Sequence, residues 1–155
     1  MKKSHTPPDA EILQRLLSER GIDRFVLVPH PSVNLSPNGR PHWAAKAKEA
    51  DEVKRRTYAY LERMDYPEGA DPRNYKVLWM YKGVEPDDDN IICRVKYVRD
   101  AIAEYYGIND RTMRVACVET VNMMRLAEDN TLPGKAGEPE RKRWKSLAGW
   151  CVVSF

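Results

Sequence analysis

The chain has 155 residues, 42% hydrophobic and 32% charged, with 26 Lys and Arg against 23 Asp and Glu for a formal net charge of +3. That length suffices for one domain with a core of its own, and no apolar run approaches the roughly 18 residues a membrane span needs, so no membrane partner is expected. The start, Met1-Lys2-Lys3-Ser4-His5, lacks the apolar stretch of a secretory signal, and the widely spaced Cys93, Cys117 and Cys151 form neither a disulfide framework nor a CxxC zinc pattern, which fits the reducing cytoplasm.

In chain order, Ile12, Leu13, Leu16 and Leu17 recur at helical spacing over residues 10–20, with Asp9 as N-cap and Gly21 as stop. This helix reads as an N-terminal appendage, residues 1–24, to a main domain of residues 25–155. A strand follows at 25–28, ended by Pro29 and Pro31, then an Asn/Pro/Gly-rich loop at 32–41. Residues 42–64 are helical in pattern, with Trp43, Ala47, Ala50, Val53, Leu61 and Met64 near one face. A Pro/Gly-rich connection at 66–74 leads to a strand at 75–81. Beyond an acidic loop, Ile91, Val95, Val98, Ile102 and Tyr105 step by four, three, four and three, the stripe of one buried helix ending at Gly107. Residues 114–122 and 149–155 are the last strands, and 128–145 reads as a charged, mobile loop. The order predicts an α+β fold: a single domain with a mixed β-sheet of about four strands, two main helices and the N-terminal helix.

The run Asp87-Asp88-Asp89-Asn90 opens the last long helix, and Asp110 follows 21 positions after Asp89. Consecutive carboxylates repel one another unless a cation sits among them, and a hard divalent ion such as Mg²⁺ takes oxygen ligands. In extended backbone Asp87 and Asp89 would point to one side, with Asp89 as N-cap of a helix whose N-terminus favours anions. Asp110 would reach them only if the chain folds back. Lys96, seven positions after Asp89, lies two helical turns along on nearly the same face. In a basic chain this pattern points to metal-dependent cleavage of nucleic acid. The simpler accounts are a solvated cap for the aspartates and an i,i+4 pair of Lys96 with Asp100; an EF-hand lacks its Gly and terminal Glu at the required offsets.

Basic residues gather in two places. Lys46, Lys48, Lys54, Arg55 and Arg56 lie on the second helix, interleaved with Glu49, Asp51 and Glu52; Arg141, Lys142, Arg143 and Lys145 surround Trp144. Phosphate neutralisation, with Trp144 stacking on an opened base, is the functional reading; solvated helix surface is the other. His42 beside Trp43 reads as a helix-start residue that caps or packs.

Pro31-Ser32-Val33-Asn34 after a short strand, Asp87-x-Asp89-Asn90 opening a helix, Lys96-Tyr97-Val98-Arg99-Asp100 within it and Asn109-Asp110 after it together resemble the RusA family of crossover junction endodeoxyribonucleases, phage-type members above all. The resemblance covers about residues 25–155 and weakens after residue 122. It implies a homodimeric α+β nuclease that resolves four-way (Holliday) DNA junctions by symmetric phosphodiester hydrolysis with Mg²⁺, or Mn²⁺ in its place. Asp87, Asp89 and Asp110 match the family's metal-site aspartates. Its lysine falls on Lys96 when the helix is registered from Asp100, and on Cys93 when counted from the helix start. Asn34 matches the early Ser-Val-Asn motif, and Asn34, Lys46, Arg55, Arg141, Lys142, Arg143 and Lys145 are the expected DNA contacts. Two alternatives accompany this reading: a branched-DNA-binding protein impaired in cleavage, and a metal-dependent nuclease for flaps or other branched DNA.

Overall fold

The computed structural model describes residues 7–37, 42–67 and 71–155. The first helix, α1 (Ala10–Glu19), forms where its periodicity predicts. The Asp9 carboxylate accepts the Ile12 N–H at 3.0 Å, satisfying an otherwise unpaired donor of the first turn. At the other end Gly21 adopts φ 64° and the Ile22 N–H donates to Leu17 O at 2.9 Å, a left-handed stop that a side chain would strain.

Four strands form one mixed sheet in the order β1-β4-β2-β3: β1 (Phe25–Pro29), β2 (Asn74–Tyr81), β3 (Arg114–Asn122) and β4 (Trp150–Ser154). Strand β4 runs antiparallel to both β1 and β2, whereas β2 and β3 are parallel. The fold is therefore α+β, as expected. Strand β2 is central and reads as an almost continuous apolar run because both of its faces are covered. Tyr75, Val77 and Trp79 face one core and Leu78 and Met80 the other, the alternation a pleated strand imposes. On β3 the register slips by one residue between Val115 and Cys117. That bulge is why Val115 and Val118, three apart, both pack on the first core.

The first face carries α2 (Trp43–Met64), α3 (Asp88–Arg94) and α4 (Lys96–Tyr106); the second carries α1, α5 (Met123–Asp129) and α6 (Glu138–Lys145). Residues 10–19 are thus no appendage. Ile12, Leu13, Leu16 and Leu17 are buried in one cluster with Leu78, Met80, Val152, Trp144 and Leu147, because the sheet's second face is apolar and this amphipathic helix covers it. The expected mobile loop at 128–145 contains α6. Only Trp144 of that helix is buried, so its sequence has no apolar periodicity to betray it. The single helix expected to end at Gly107 is divided at Val95 (φ −91°, ψ 1°) into α3 and α4. Its stripe survives, with Ile91, Val95, Val98 and Ile102 all buried. Helix α2, about 33 Å long by its 22 residues, overhangs the strands. Ala50, Thr57 and Leu61 are buried, while Trp43, Ala47 and Met64 are exposed. The expected loop at 32–41 and connection at 66–74 run partly outside the described residues. No described helix is long and apolar enough to cross a membrane, and Cys93, Cys117 and Cys151 are all free thiols.

Candidate functional site

Parallel neighbours β2 and β3 are joined by a crossover, so the chain must travel the length of β2 before it re-enters the sheet. Helices α3 and α4 make that journey. At the carboxyl end of β2 the chain leaves through Lys82, Gly83, Val84 and Glu85; Glu85 accepts the Thr120 hydroxyl at 2.5 Å, which ties the loop to β3. Helix α3 then packs against β3 and against the 3₁₀ turn Val33–Leu35 that follows β1. Strand β1 has the same direction as β2, through their shared neighbour β4. The exits of β1 and β2 therefore meet at one sheet edge, the position where open sheets with crossover helices receive ligands. Both motifs singled out in the sequence, Ser32-Val33-Asn34 and Asp87-x-Asp89, come together there.

Asp87 is the N-cap of α3, in extended backbone and without a side-chain capping bond, and Asp88 and Asp89 occupy the first turn. The helix begins earlier than expected. Asp89 is inside it rather than capping it, so the period-two argument for parallel carboxylates does not apply. All three aspartates are exposed.

Asp110 stands elsewhere. It lies in the 3₁₀ turn Asp110–Thr112 just before β3, where the Arg114 N–H donates to Arg73 O at 2.6 Å, beside the first residue of β2. Asp87 and Asp89 sit beyond the last residue. Eight residues of β2 separate the two edges by about 23 Å at about 3.3 Å per step. The chain does not fold back, and the three aspartates do not converge. Asp110 instead lies within electrostatic reach of Arg99. Burial depresses that guanidinium's pKa, but the hydrogen bond and charge of Asp100, with smaller contributions from Tyr75 and Asp110, outweigh it and raise the net value. Asn109 caps the same turn, its side-chain oxygen accepting the Arg111 N–H at 3.0 Å.

Among the described residues no group of three or more His, Cys, Asp or Glu could hold a metal ion. Mg²⁺, however, commonly takes only one or two carboxylates and completes its shell with substrate phosphate and water. Asp87 and Asp89, two residues apart at the start of α3, are exposed carboxylates at this edge from which such a smaller set could be drawn.

Lys96 is exposed at the start of α4, its ammonium 5.5 Å from the Tyr97 ring centre. It does not pair with Asp100, which takes Arg99 at 2.9 Å. Asn34 shapes the neighbouring turn: its amide donates to Glu49 of α2 at 3.1 Å, and its N–H to Ser32 Oγ at 3.1 Å. The other Glu49 carboxylate oxygen is buried without a partner.

The expected DNA contacts divide. Lys46 is exposed on the overhanging start of α2, and Arg55 is exposed farther along that helix. In the second cluster Arg143 is committed to Asp9, Glu11 and Glu140, each at 2.9 Å, and so fastens α6 to α1. Arg141 donates to the carbonyls of Leu132 and Gly134. Trp144 is 3% exposed with Arg15 over its ring, so it is core and not a platform for an opened base. Lys142 and Lys145 remain exposed.

Sequence reasoning missed a stack at the same sheet edge. Trp79 carries the His30 ring at 3.8 Å and 14°, and the Arg94 guanidinium at 4.7 Å. His30 Nε2 donates to Trp150 O at 3.0 Å, and Arg94 Nε to Pro31 O at 2.7 Å. A signal existed. Arg94 is three residues after Ile91 and four before Val98, a cation on the border of the buried stripe.

No family model and no solved structure matches the chain. It is 35% identical over 89 residues to an uncharacterized protein of Xylella fastidiosa (strain Temecula1 / ATCC 700964), a stretch covering 54% of this chain and 58% of that protein. The chain thus spans little more than half the length of the curated relative it matches.

Proposed function

We propose that this chain is a RusA-like, Mg²⁺-dependent endonuclease that cuts four-way DNA junctions, with its active site at the carboxyl edge of β2. One observation carries the reading. Two sequence motifs more than fifty residues apart, Ser32-Val33-Asn34 and Asp87-x-Asp89-Asn90, meet at a single sheet edge through the packing of α3 on the turn after β1. Asp87 and Asp89 would hold the metal together with a substrate phosphate oxygen. When bound, the ion would lower the pKa of a water and offset charge on the leaving oxygen. Asn34, through Glu49, holds the adjoining turn in shape. Lys96, exposed on the following helix, supplies positive charge toward the backbone, as does Lys46. Two equivalent cuts in a junction call for two sites related by a twofold axis, so the reading includes a homodimer, acting where cellular DNA is, in the cytoplasm.

The remoteness of Asp110 favours a second reading, a branched-DNA-binding protein without cleavage. A labelled synthetic junction incubated with Mg²⁺ or with EDTA, beside linear duplex, separates the two. Paired, metal-dependent nicks that vanish in Asp89→Asn support the nuclease. Tight junction binding without cleavage under Mg²⁺ or Mn²⁺ supports the binding protein, and cleavage of flaps equal to junctions removes the junction preference.

A further inference from the structure

Half-buried Arg20 and Arg99 have carboxylate partners, Glu119 at 2.7 Å and Asp100 at 2.9 Å, and the more exposed Arg143 pairs with Asp9 at 2.9 Å, whereas Arg141 donates to backbone carbonyls. Arg94 is half-buried too, but its hydrogen bond ends on the neutral carbonyl of Pro31 and its guanidinium carbon lies 4.7 Å from the Trp79 ring centre. No carboxylate of a described residue pairs with it, although Asp87, Asp88 and Asp89 belong to the same short helix. A cation withdrawn from water without a counter-ion is costly. Burial already lowers its pKa, opposed weakly by Cys151.

The geometry of the group says what it awaits. Nε is committed to Pro31 O, and the guanidinium carbon sits over the indole. What remains is the Nη1/Nη2 edge, two parallel donors matched to two oxygens of one phosphate. Arg94 lies six residues along α3 from Asp88, about 9 Å in axial rise, and helical side chains lean back toward the N-terminus. Its anchor, Pro31, adjoins Ser32-Val33-Asn34. The arginine therefore stands between the two motifs that meet at this edge.

We infer that Arg94 is a phosphate-binding residue, gripping through its Nη1/Nη2 edge a backbone phosphate of the nucleic-acid strand that lies across Asp87 and Asp89. The inference rests on the nuclease reading for the identity of the substrate. The site reads phosphate and not base, and Trp79 is a pedestal for the guanidinium and not a stacking platform for nucleobases.

Binding of a synthetic four-way junction in EDTA, titrated across salt concentrations, tests this on wild type, Arg94→Gln and Arg94→Lys. Arg94→Gln should bind about tenfold to a hundredfold more weakly, and the slope of log K against log salt should shrink by about 0.9, the share of one phosphate. Arg94→Lys should keep the slope and lose part of the affinity, since charge survives and the fork does not. A merely structural arginine would change folding stability without removing one unit of salt dependence. Should Arg94→Gln fail to fold, phenylglyoxal labelling of the wild-type protein replaces it. Junction DNA should then protect Arg94 while Arg73, at the far sheet edge, stays reactive. Unchanged affinity and slope in folded Arg94→Gln, or no protection of Arg94, overturns the inference alone. Absence of any junction binding by the wild-type protein overturns it together with the nuclease reading beneath it.

Discussion

Asp110→Asn should leave junction cleavage within about 1.4-fold of wild type, whereas Asp89→Asn should lower it more than a hundredfold. The contrast follows from the crossover. Asp110 lies before β3 and Asp89 beyond the end of β2, about 23 Å apart along the strand direction. Across that distance a unit charge contributes about 0.2 kcal/mol in water. Screening at physiological salt, with a Debye length of about 8 Å, cuts this to roughly 0.01 kcal/mol. Even the unscreened value corresponds to only about 1.4-fold in rate. Asp89, by contrast, would touch the metal itself, and changes one step farther from a metal already cost about 10- to 100-fold. The assay is a single-turnover time course on a labelled junction with saturating Mg²⁺, run for wild type and both variants, with thermal melts as folding controls. A loss of two orders of magnitude in folded Asp110→Asn would refute the reasoning, because it would put Asp110 at the metal against the path of the chain.

Other expectations concern the fold. Leu17→Ala, at a side chain 1% exposed between α1 and the sheet, should cost about 2–5 kcal/mol in urea unfolding; a loss below 1 kcal/mol would mean that α1 is detachable after all. The Arg143 guanidinium, with the Ile12 N–H, holds the Asp9 carboxyl below its ordinary 3.8. A depressed carboxylate stabilises the fold fully above its unfolded value and loses that gain as pH falls through the folded one. Melting temperatures of wild type and Arg143→Ala should therefore differ at pH 6 and converge below 3.8; a constant gap would contradict the pairing. Burial pushes the Cys151 thiol up to about 12, while Cys117 is exposed. Alkylation at pH 8 followed by peptide mass spectrometry should modify Cys117 first and spare Cys151 until the protein is unfolded.

Much of the fold is local in origin and was legible as such. Asp9 and Gly21 bound α1, and the stripe Ile91, Val95, Val98 and Ile102 describes one face of α3 and α4, because caps and stripes depend on residues within two turns of one another. The four strands were legible too, through short apolar runs between turn residues. Helix α6 was not, since one buried tryptophan in eight residues leaves no period to detect.

Sequence alone determined which residues could carry chemistry: an acidic run at a helix start, a lysine two turns on, basic clusters and the Ser32-Val33-Asn34 turn. Tertiary structure decided which of them meet. Asp110 parted from Asp87 and Asp89 because β3 pairs parallel to β2, a relation between segments some forty residues apart that forces the chain across the sheet. Trp144 was drawn into the core by α1, and Arg143 into ion pairs with Asp9 and Glu11 at the start of that helix, more than 130 positions away. Arg94 acquired its place only when β1 and β2 ended at the same edge. Periodicity records which side of an element is buried, but not the neighbour that buries it, and an active site is made of neighbours.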